Sequence, residues 1–396
     1  MDWKENNTNP MTFKLLHYSD SHLGFEQYQS LTRLRDFASS LDEVFRVAVE
    51  MGVDAVVDTG DTFDSPNPDP FSLMAMRKFL QRLHAHNILF IGIIGNHNKH
   101  EIQGKMSEVC WFNALSDHVI RPMDPEIPTR VDSRKRDGCS IYVVAADWMP
   151  SSDIQGFVER LHPQLDALFL HQSCEQFLPS IGRPELMISQ VDGLARYVGV
   201  GDVHVTKTLT TARGTIIGSA GSTEMASRSE DPTKYVMLVT FDCDDRTTAP
   251  TCERIQIATR GVVTFPVITL AEHIHPFIEA VTRSLIPGQK PPMVVVAYSR
   301  NLQPQMAAAE TRIRELGVEI VRLIPETEVK AAEEMKEIAA SGSVLMEEII
   351  REMLKEDREC IDFCLDLWSN PASAPAIIDS YVKKTKAKYA NQGNPN

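Results

Sequence analysis

Six short apolar runs constrain this chain more than any other feature in it. Residues 13–17, 55–57, 88–94, 141–145, 165–170 and 197–200 are rich in Val, Ile and Leu, and runs of that length suit strands buried on both faces. Between them, residues 30–51 and 70–86 carry apolar side chains three or four apart. Leu34, Phe37, Leu41, Val44, Phe45 and Ala48 mark one such face, the pattern of a helix with one side in a core. Strands alternating with helices predict an α/β fold.

The polar residues at the ends of these runs are as informative as the runs themselves. The first leads into Ser19-Asp20-Ser21-His22, the second into Gly60-Asp61-Thr62-Phe63-Asp64 and the third into Gly95-Asn96-His97-Asn98. The run at 165–170 ends at His171, and the run at 197–200 leads into Gly201-Asp202-Val203-His204. In open α/β sheets the C-terminal edge of the strands is where ligands bind. Asp20 and His22 are two apart, as are Asp202 and His204, so an extended backbone would point each pair to one side. Adjacent glycines allow tight turns and close approach.

Asp20, His22, Asp61, Asn96, His171, Asp202 and His204 offer too many ligands for one tetrahedral ion. They suit two ions roughly 3.5–4 Å apart that share a carboxylate. Imidazole, carboxylate and amide donors without thiolate point to manganese, iron, magnesium or zinc. Such a pair polarises a phosphoryl oxygen and lowers the pKa of water at the site. His97, left over, is placed to protonate a leaving group or stabilise the transition state. A single DxH or GD is a weak signal. Five strand ends delivering metal-capable side chains in one chain is a strong one.

The full set of motifs resembles the calcineurin-like metallophosphoesterases. Within them it is most similar to the double-strand-break repair nucleases, the SbcD exonuclease subunit and its phage, archaeal and eukaryotic counterparts. The likeness rests on His17-Tyr-Ser-Asp20-Ser-His22-Leu23-Gly24, Gly60-Asp-Thr-Phe-Asp64, Gly95-Asn-His97, Leu170-His171-Gln172, Gly201-Asp-Val-His204 and Gly218-Ser219, and spans roughly residues 13–270. It implies an α/β sandwich of two central sheets flanked by helices, a small α/β capping domain and a C-terminal helical segment. By the same resemblance Asp20, His22, Asp61 and His204 hold one ion, with Asp61 bridging, and Asn96, His171 and Asp202 complete the second. His97 is the acid or transition-state stabiliser. The expected activity is manganese-dependent 3′-to-5′ exonuclease and single-strand endonuclease cleavage of DNA. Two positions depart from the family pattern: Asn98 replaces an aspartate after His97, and Asp202 replaces a histidine. The added carboxylate is expected to shift the second site toward harder ions, with magnesium better tolerated.

Composition sets the remaining expectations. Acidic residues number 54 against 40 basic ones, a net charge of −14, so overall positive charge does not draw this chain to nucleic acid. DNA contacts must be local. Arg130, Arg134, Lys135 and Arg136 form one basic cluster, and Ser219 lies in a Gly/Ser loop whose family counterpart adjoins the active site. Seven cysteines, an odd number without a CxxC pair, argue against a disulfide framework or structural zinc and for a reducing, cytoplasmic setting. No uncharged apolar run reaches the ~18 residues of a membrane span.

The expected layout is a loose leader at 1–11, a nuclease domain at 12–265, a capping domain at 266–325 and a linker with partner-binding helices and a basic tail at 326–396. Residues 325–368 carry 13 acidic and 5 basic side chains. The apolar stripe within 343–368 wants a partner face, and the resemblance implies that it docks on an SbcC-type ATP-binding-cassette coiled-coil ATPase. The helix at 70–86 is a candidate for a homodimer contact. Two rival functions remain open, a small-molecule or cyclic-nucleotide phosphodiesterase and a scaffold weakened by Asn98 and Asp202.

Overall fold

A computed structural model of the chain describes residues 11–96, 119–162, 165–178, 184–227, 230–287 and 289–327. Among these, the strands form two six-stranded sheets and one three-stranded sheet. The first sheet contains β1 (Thr12–Tyr18), β2 (Ala55–Asp58), β3 (Leu89–Gly92) and β4 (Val119–Ile120), all parallel, extended beyond β1 by antiparallel β11 (Lys234–Asp242) and β12 (Thr251–Ile257). The second contains β5 (Thr129–Asp132), β6 (Ser140–Ala146), β7 (Leu165–Leu170), β8 (Ala195–Val200), β9 (Lys207–Thr210) and β10 (Ile216–Ser219). Its interior strands β6, β7, β8 and β10 are parallel, and its two edge strands are antiparallel.

The apolar runs are explained by burial on two sides. Phe13, Leu15, Ala55, Val57, Leu89 and Ile91 face across to Ile141, Val143, Ala145, Ala167, Phe169 and Tyr197, forming the core between the sheets. The alternate residues Leu16, Val56 and Phe90 point outward, under α1 (Leu31–Glu50) and α2 (Pro70–Ala85). On the far side Val144, Leu168 and Val198 lie under α3 (Ser151–Glu159) and α4 (Ile188–Val191). The result is helix, sheet, sheet, helix, the expected α/β sandwich. Ser30 caps α1 through Arg33 N–H, and Asp69 caps α2 through Phe71 and Ser72 N–H, with Pro70 in the first turn, which is why both helices start where the sequence predicts.

One buried histidine ties the sheets together beneath the strand ends. His17 on β1 contacts the Tyr197 hydroxyl at 2.8 Å and the Thr59 hydroxyl at 2.9 Å. Burial presses its pKa down to about 3, so the ring is neutral and serves as one donor and one acceptor.

The third sheet holds β13 (Val262–Ile268), β14 (Met293–Tyr298) and β15 (Val321–Pro325), with α5 (Ile274–Ser284) and α6 (Gln303–Glu315). Its own core includes Ile268, Phe277, Val281, Val296, Met306 and Ile313. The change of sheet falls between Ile257 and Val262. The chain divides again at Leu323/Ile324. The expected partner-binding helices and basic tail lie outside the described residues.

Cysteine pairing departs from expectation at one place. Cys139, at the entry to β6, is joined to Cys243, after β11, with Cα atoms 5.7 Å apart. The partners are 104 residues apart and meet only because the sheets stack, so spacing along the chain carries no sign of the bridge. No helix among the described residues is long and apolar enough to cross a membrane.

A buried charge cluster anchors the third sheet to α1. Asp36, 3% exposed, accepts from Arg33 at 3.1 Å, from Arg260 at 2.5 and 3.0 Å and from Lys290 at 3.4 Å. Arg33 continues to Glu224 at 3.3 Å and to the Met225 carbonyl at 2.8 Å. Removing one member strands the others in low dielectric. Asp36→Ala is therefore expected to cost about 3–5 kcal/mol, read as a lowered denaturant midpoint, with Asp36→Asn intermediate. A loss under ~1 kcal/mol would show that water reaches the cluster.

Candidate metal centre

The strand ends of both sheets converge at one edge. Beyond β1 and β2 the two loops run side by side, with Asp20 N–H donating to Gly60 O at 3.0 Å, His22 N–H to Asp61 O at 3.0 Å and Leu23 N–H to Thr62 O at 2.8 Å. Asp58 shapes the second loop by accepting from Gly60 N–H and the Thr62 hydroxyl. The end of β3 is held by Asp147, which accepts from Ile94 N–H at 2.8 Å, and this presents Asn96. Gly201 N–H donates to Leu170 O, which sets His171 beside Asp202.

The backbone reaches this arrangement differently from the extended DxH reading. Asp20, His22, Asp61 and Asp202 all have left-handed φ, at 51°, 41°, 50° and 70°. Each such residue costs of order 1–3 kcal/mol and persists only where its surroundings over-determine it. Here the paired loops do so, and the kinks turn the side chains inward from strands that have already ended.

The side chains form two groups whose ligand atoms lie within 4.8 Å of one another: Asp20, His22 and His204; and Asp20, Asp61 and His171. His22 Nε2 is 3.1 Å from His204 Nε2, and His204 Nε2 is 3.8 Å from Asp20 Oδ1. His171 Nε2 is 3.0 Å from Asn96 Oδ1, 3.4 Å from Asp61 Oδ2 and 4.0 Å from Asp202 Oδ1. Asp20 belongs to both groups, whereas Asp61, the expected bridge, joins only the second at that radius.

The donor set suits divalent cations. Asp20 is fully buried, and among the described residues neither carboxylate oxygen has a hydrogen-bond partner, a costly state for a lone carboxylate and an ordinary one for a ligand. The cradle also needs bare backbone. A Cβ on Gly95 would lie 2.0 Å from Asp61 Oδ1, and one on Gly201 would lie 2.4 Å from Thr59 O and 2.6 Å from His171 Nδ1.

Residues 13–169 match the family described as calcineurin-like phosphoesterase. Over that stretch the chain is similar to calcineurin-like phosphoesterases. Its relatives include proteins named DNA double-strand break repair protein Mre11. That of Methanosarcina mazei is 27% identical over 85% of this chain and 57% of its own length. Those of Saccharolobus solfataricus and Sulfolobus acidocaldarius are each 28% identical over 55% of this chain and 56% of their own. The chain thus spans a little over half the length of these relatives.

The site is electrostatically tense without cations. Burial alone would lower the pKa of His171, but the Asp61 carboxylate, with Asp20 and Asp202, outweighs it and pushes the ring up to about 10. Both ring nitrogens face acceptors, Thr59 O at 2.7 Å and Asn96 Oδ1, as an imidazolium requires. His204 is likewise raised: burial opposes the charge, but Glu230 and Asp20 favour it more. Asp202 is pushed up to about 6, by burial first, with His171 pulling the other way and Asp20, Glu185 and Asp61 adding to the rise.

The seven metal-ligand candidates therefore meet at one edge, while the other predicted residues divide. His97 and Asn98 lie outside the described residues. Arg136 pairs with Asp54 and reaches Gly52 O, Lys135 donates to Val53 O at 2.6 Å, and Arg130 pairs with Asp132; Arg134 is exposed in the same loop. This cluster sits at the N-terminal end of β2, some four residues or ~13 Å along the strand from Asp58, and so at the pole opposite the metal ligands. The expected DNA-contacting patch is not at the site. Ser219 is fully buried and donates to Val203 O at 3.1 Å, so its hydroxyl braces the loop bearing His204. Thr59, Asp147 and Glu230 support the ligands without belonging to any motif.

This balance of charges is testable in two ways. Asp20→Asn removes a buried charge whose oxygens accept no hydrogen bond among the described residues, so the metal-free thermal midpoint should rise while the upshift on adding Mn2+ disappears. An unchanged upshift would remove Asp20 from the site. His171 has a folded pKa near 10 against an ordinary 6.5, so its stabilisation of the metal-free protein is full below about 6.5 and is lost as pH rises through about 10. A cation must displace that proton, so Mn2+ affinity measured by calorimetry should strengthen from pH 6 to 9, by up to about tenfold per pH unit for each proton released.

Proposed function

We propose that this chain is a two-metal phosphodiesterase that cleaves DNA ends, the nuclease subunit of a double-strand-break processing complex. The observation that carries the reading is the buried, donorless carboxylate of Asp20 at the meeting point of the strand ends with three imidazoles, two further carboxylates and an amide. Substrate class comes from likeness: the relatives bear the name of a DNA double-strand break repair protein. Manganese is the preferred ion, and Asp202, a harder ligand than the family's histidine, makes magnesium better tolerated.

When bound, the ions supply Lewis acidity toward a phosphoryl oxygen and lower the pKa of water beside it. The chain's own residues do the positioning. Asp20, His22 and His204 hold one side, and Asp61, Asn96, His171 and Asp202 the other. Thr59 O and Asp147 keep His171 and the Asn96 segment in place. His97, next in sequence to Asn96, gives a proton to the departing oxygen.

Two partner assignments accompany this reading. Phe71 and Met74 on α2 are 43% and 71% exposed, which supports a second copy of the chain docking there. The segment at 343–368 is assigned to an SbcC-type ATPase by the family resemblance together with its apolar stripe.

Linear DNA and a chromogenic phosphodiester, each with Mn2+ or Mg2+, test the function. DNA should be degraded with both ions, faster with Mn2+. His97→Ala should lower kcat by about 10²–10⁴-fold, the range of a general acid, with KM for DNA little changed. Asp202→His should reduce the Mg2+ activity relative to Mn2+. Turnover of the small diester alone would favour the small-molecule reading, and equal activity in wild type and His97→Ala would favour a scaffold.

A further inference from the structure

Glu230 lies between β10 and β11, twenty-six residues after His204, and belongs to no motif. Its side chain is 8% exposed. The carboxylate accepts from His204 Nδ1 at 2.9 Å, Lys234 Nζ at 2.6 Å, the Ser222 hydroxyl at 2.9 Å, Ala226 N–H at 3.2 Å and Ser227 N–H at 2.8 Å. A bonding demand of this size is unusual for one side chain in a loop. It draws three segments together: the turn after β8, the loop around Ser222, which bridges to Ser19 just before Asp20, and the start of β11.

The three histidines of the centre are backed in three different ways. His171 Nδ1 donates to the neutral carbonyl of Thr59 at 2.7 Å. His22 Nδ1 stands 3.5 Å from Asp64, whose side chain is 33% exposed. His204 has, on its Nδ1 side, the buried carboxylate of Glu230 at 2.9 Å, itself bonded to Lys234. A carboxylate accepting the Nδ1 proton leaves Nε2 with its lone pair free and makes the ring more basic. That Nε2 points toward His22 Nε2 and Asp20.

We propose that Glu230 is the positioning residue for His204, setting its tautomer and orientation so that the ion shared with Asp20 and His22 is held. It does not touch substrate or ion; it acts through the ring. Lys234 offsets its charge, while the Ser222 hydroxyl and the Ala226 and Ser227 N–H groups hold the carboxylate opposite His204. The proposal rests on the two-metal reading above and deepens it, because it makes the two ion sites unequal in what supports them.

The test is calorimetric titration of the full chain with Mn2+ alone, in wild type, Glu230→Ala, Glu230→Gln and Lys234→Met, with circular dichroism as the folding check. Wild type should show two binding steps. Glu230→Ala should weaken one step by about 10–100-fold, the usual effect of losing such a partner, and leave the other unchanged. Glu230→Gln, which retains an acceptor oxygen, should recover part of the loss. Lys234→Met loosens the same loop while leaving Glu230 opposite His204, and should alter neither step by more than about threefold. Two undisturbed steps in Glu230→Ala would overturn the proposal, as would equal weakening in Lys234→Met, which would assign the effect to loop order. No Mn2+ uptake by wild type would overturn the metal reading, and this proposal with it.

Discussion

A carboxylate shut away from water with no donor to satisfy it is the constraint around which this molecule is arranged. Asp20 occupies the point where the first sheet's strand ends meet those of the second, fully buried, with neither oxygen hydrogen-bonded among the described residues. Low dielectric makes such a group expensive and makes any cation beside it strongly held. The left-handed backbone at Asp20, His22, Asp61 and Asp202, the bare glycines at 95 and 201 and the protonated state of His171 are all consequences of packing anionic ligands into one dry corner. Stability is given up locally so that a cation has something to restore.

The scaffold compensates elsewhere. Strands buried on both faces supply a continuous core between the sheets, and His17 pins the sheets to each other directly below the ligands. The Asp36 cluster joins α1 to the segment leading into the third sheet and, through Arg33, to Glu224 and Met225. Glu230 lies a few residues farther along the same loop and reaches His204. The third sheet and the ligand loop are therefore anchored on one helix by neighbouring sets of charges.

Much of this is legible in the sequence because it is local. A buried parallel strand leaves a contiguous apolar signature, and a ligand follows within four residues of it, so Asp20, Asp61, Asn96, His171 and Asp202 are found by reading forward from Leu16, Val57, Ile94, Leu170 and Val200. Caps at Ser30 and Asp69 are equally local. What is not legible depends on which distant segments stack. Cys139 and Cys243 meet only across the two sheets. The edge strand β12 is half exposed and lacks the dense apolar run that marks the parallel strands, whereas β11 is buried and carries such a run, Val236–Val239, with no ligand at its end to mark it. Arg130 to Arg136 form a charge cluster in sequence, but a run of basic residues does not reveal which pole of a sheet its loop occupies; Asp54 holds it at the end away from the ligands. Glu230 sits among Ser, Arg and Asp in an ordinary-looking loop, and only the fold shows that His204 is its neighbour. The DxH pair is found by the right residues and a wrong conformation, since alternation along an extended strand and a pair of left-handed kinks bring the same two side chains together.

Anomalous diffraction at the manganese edge, from crystals of the full chain grown with Mn2+, tests the two-cation centre most directly. Two peaks are expected at the strand-end edge, one against Asp20, His22 and His204 and the other against Asp61, Asn96, His171 and Asp202. A map with no peak there, or with manganese bound only at sites away from Asp20, would contradict it.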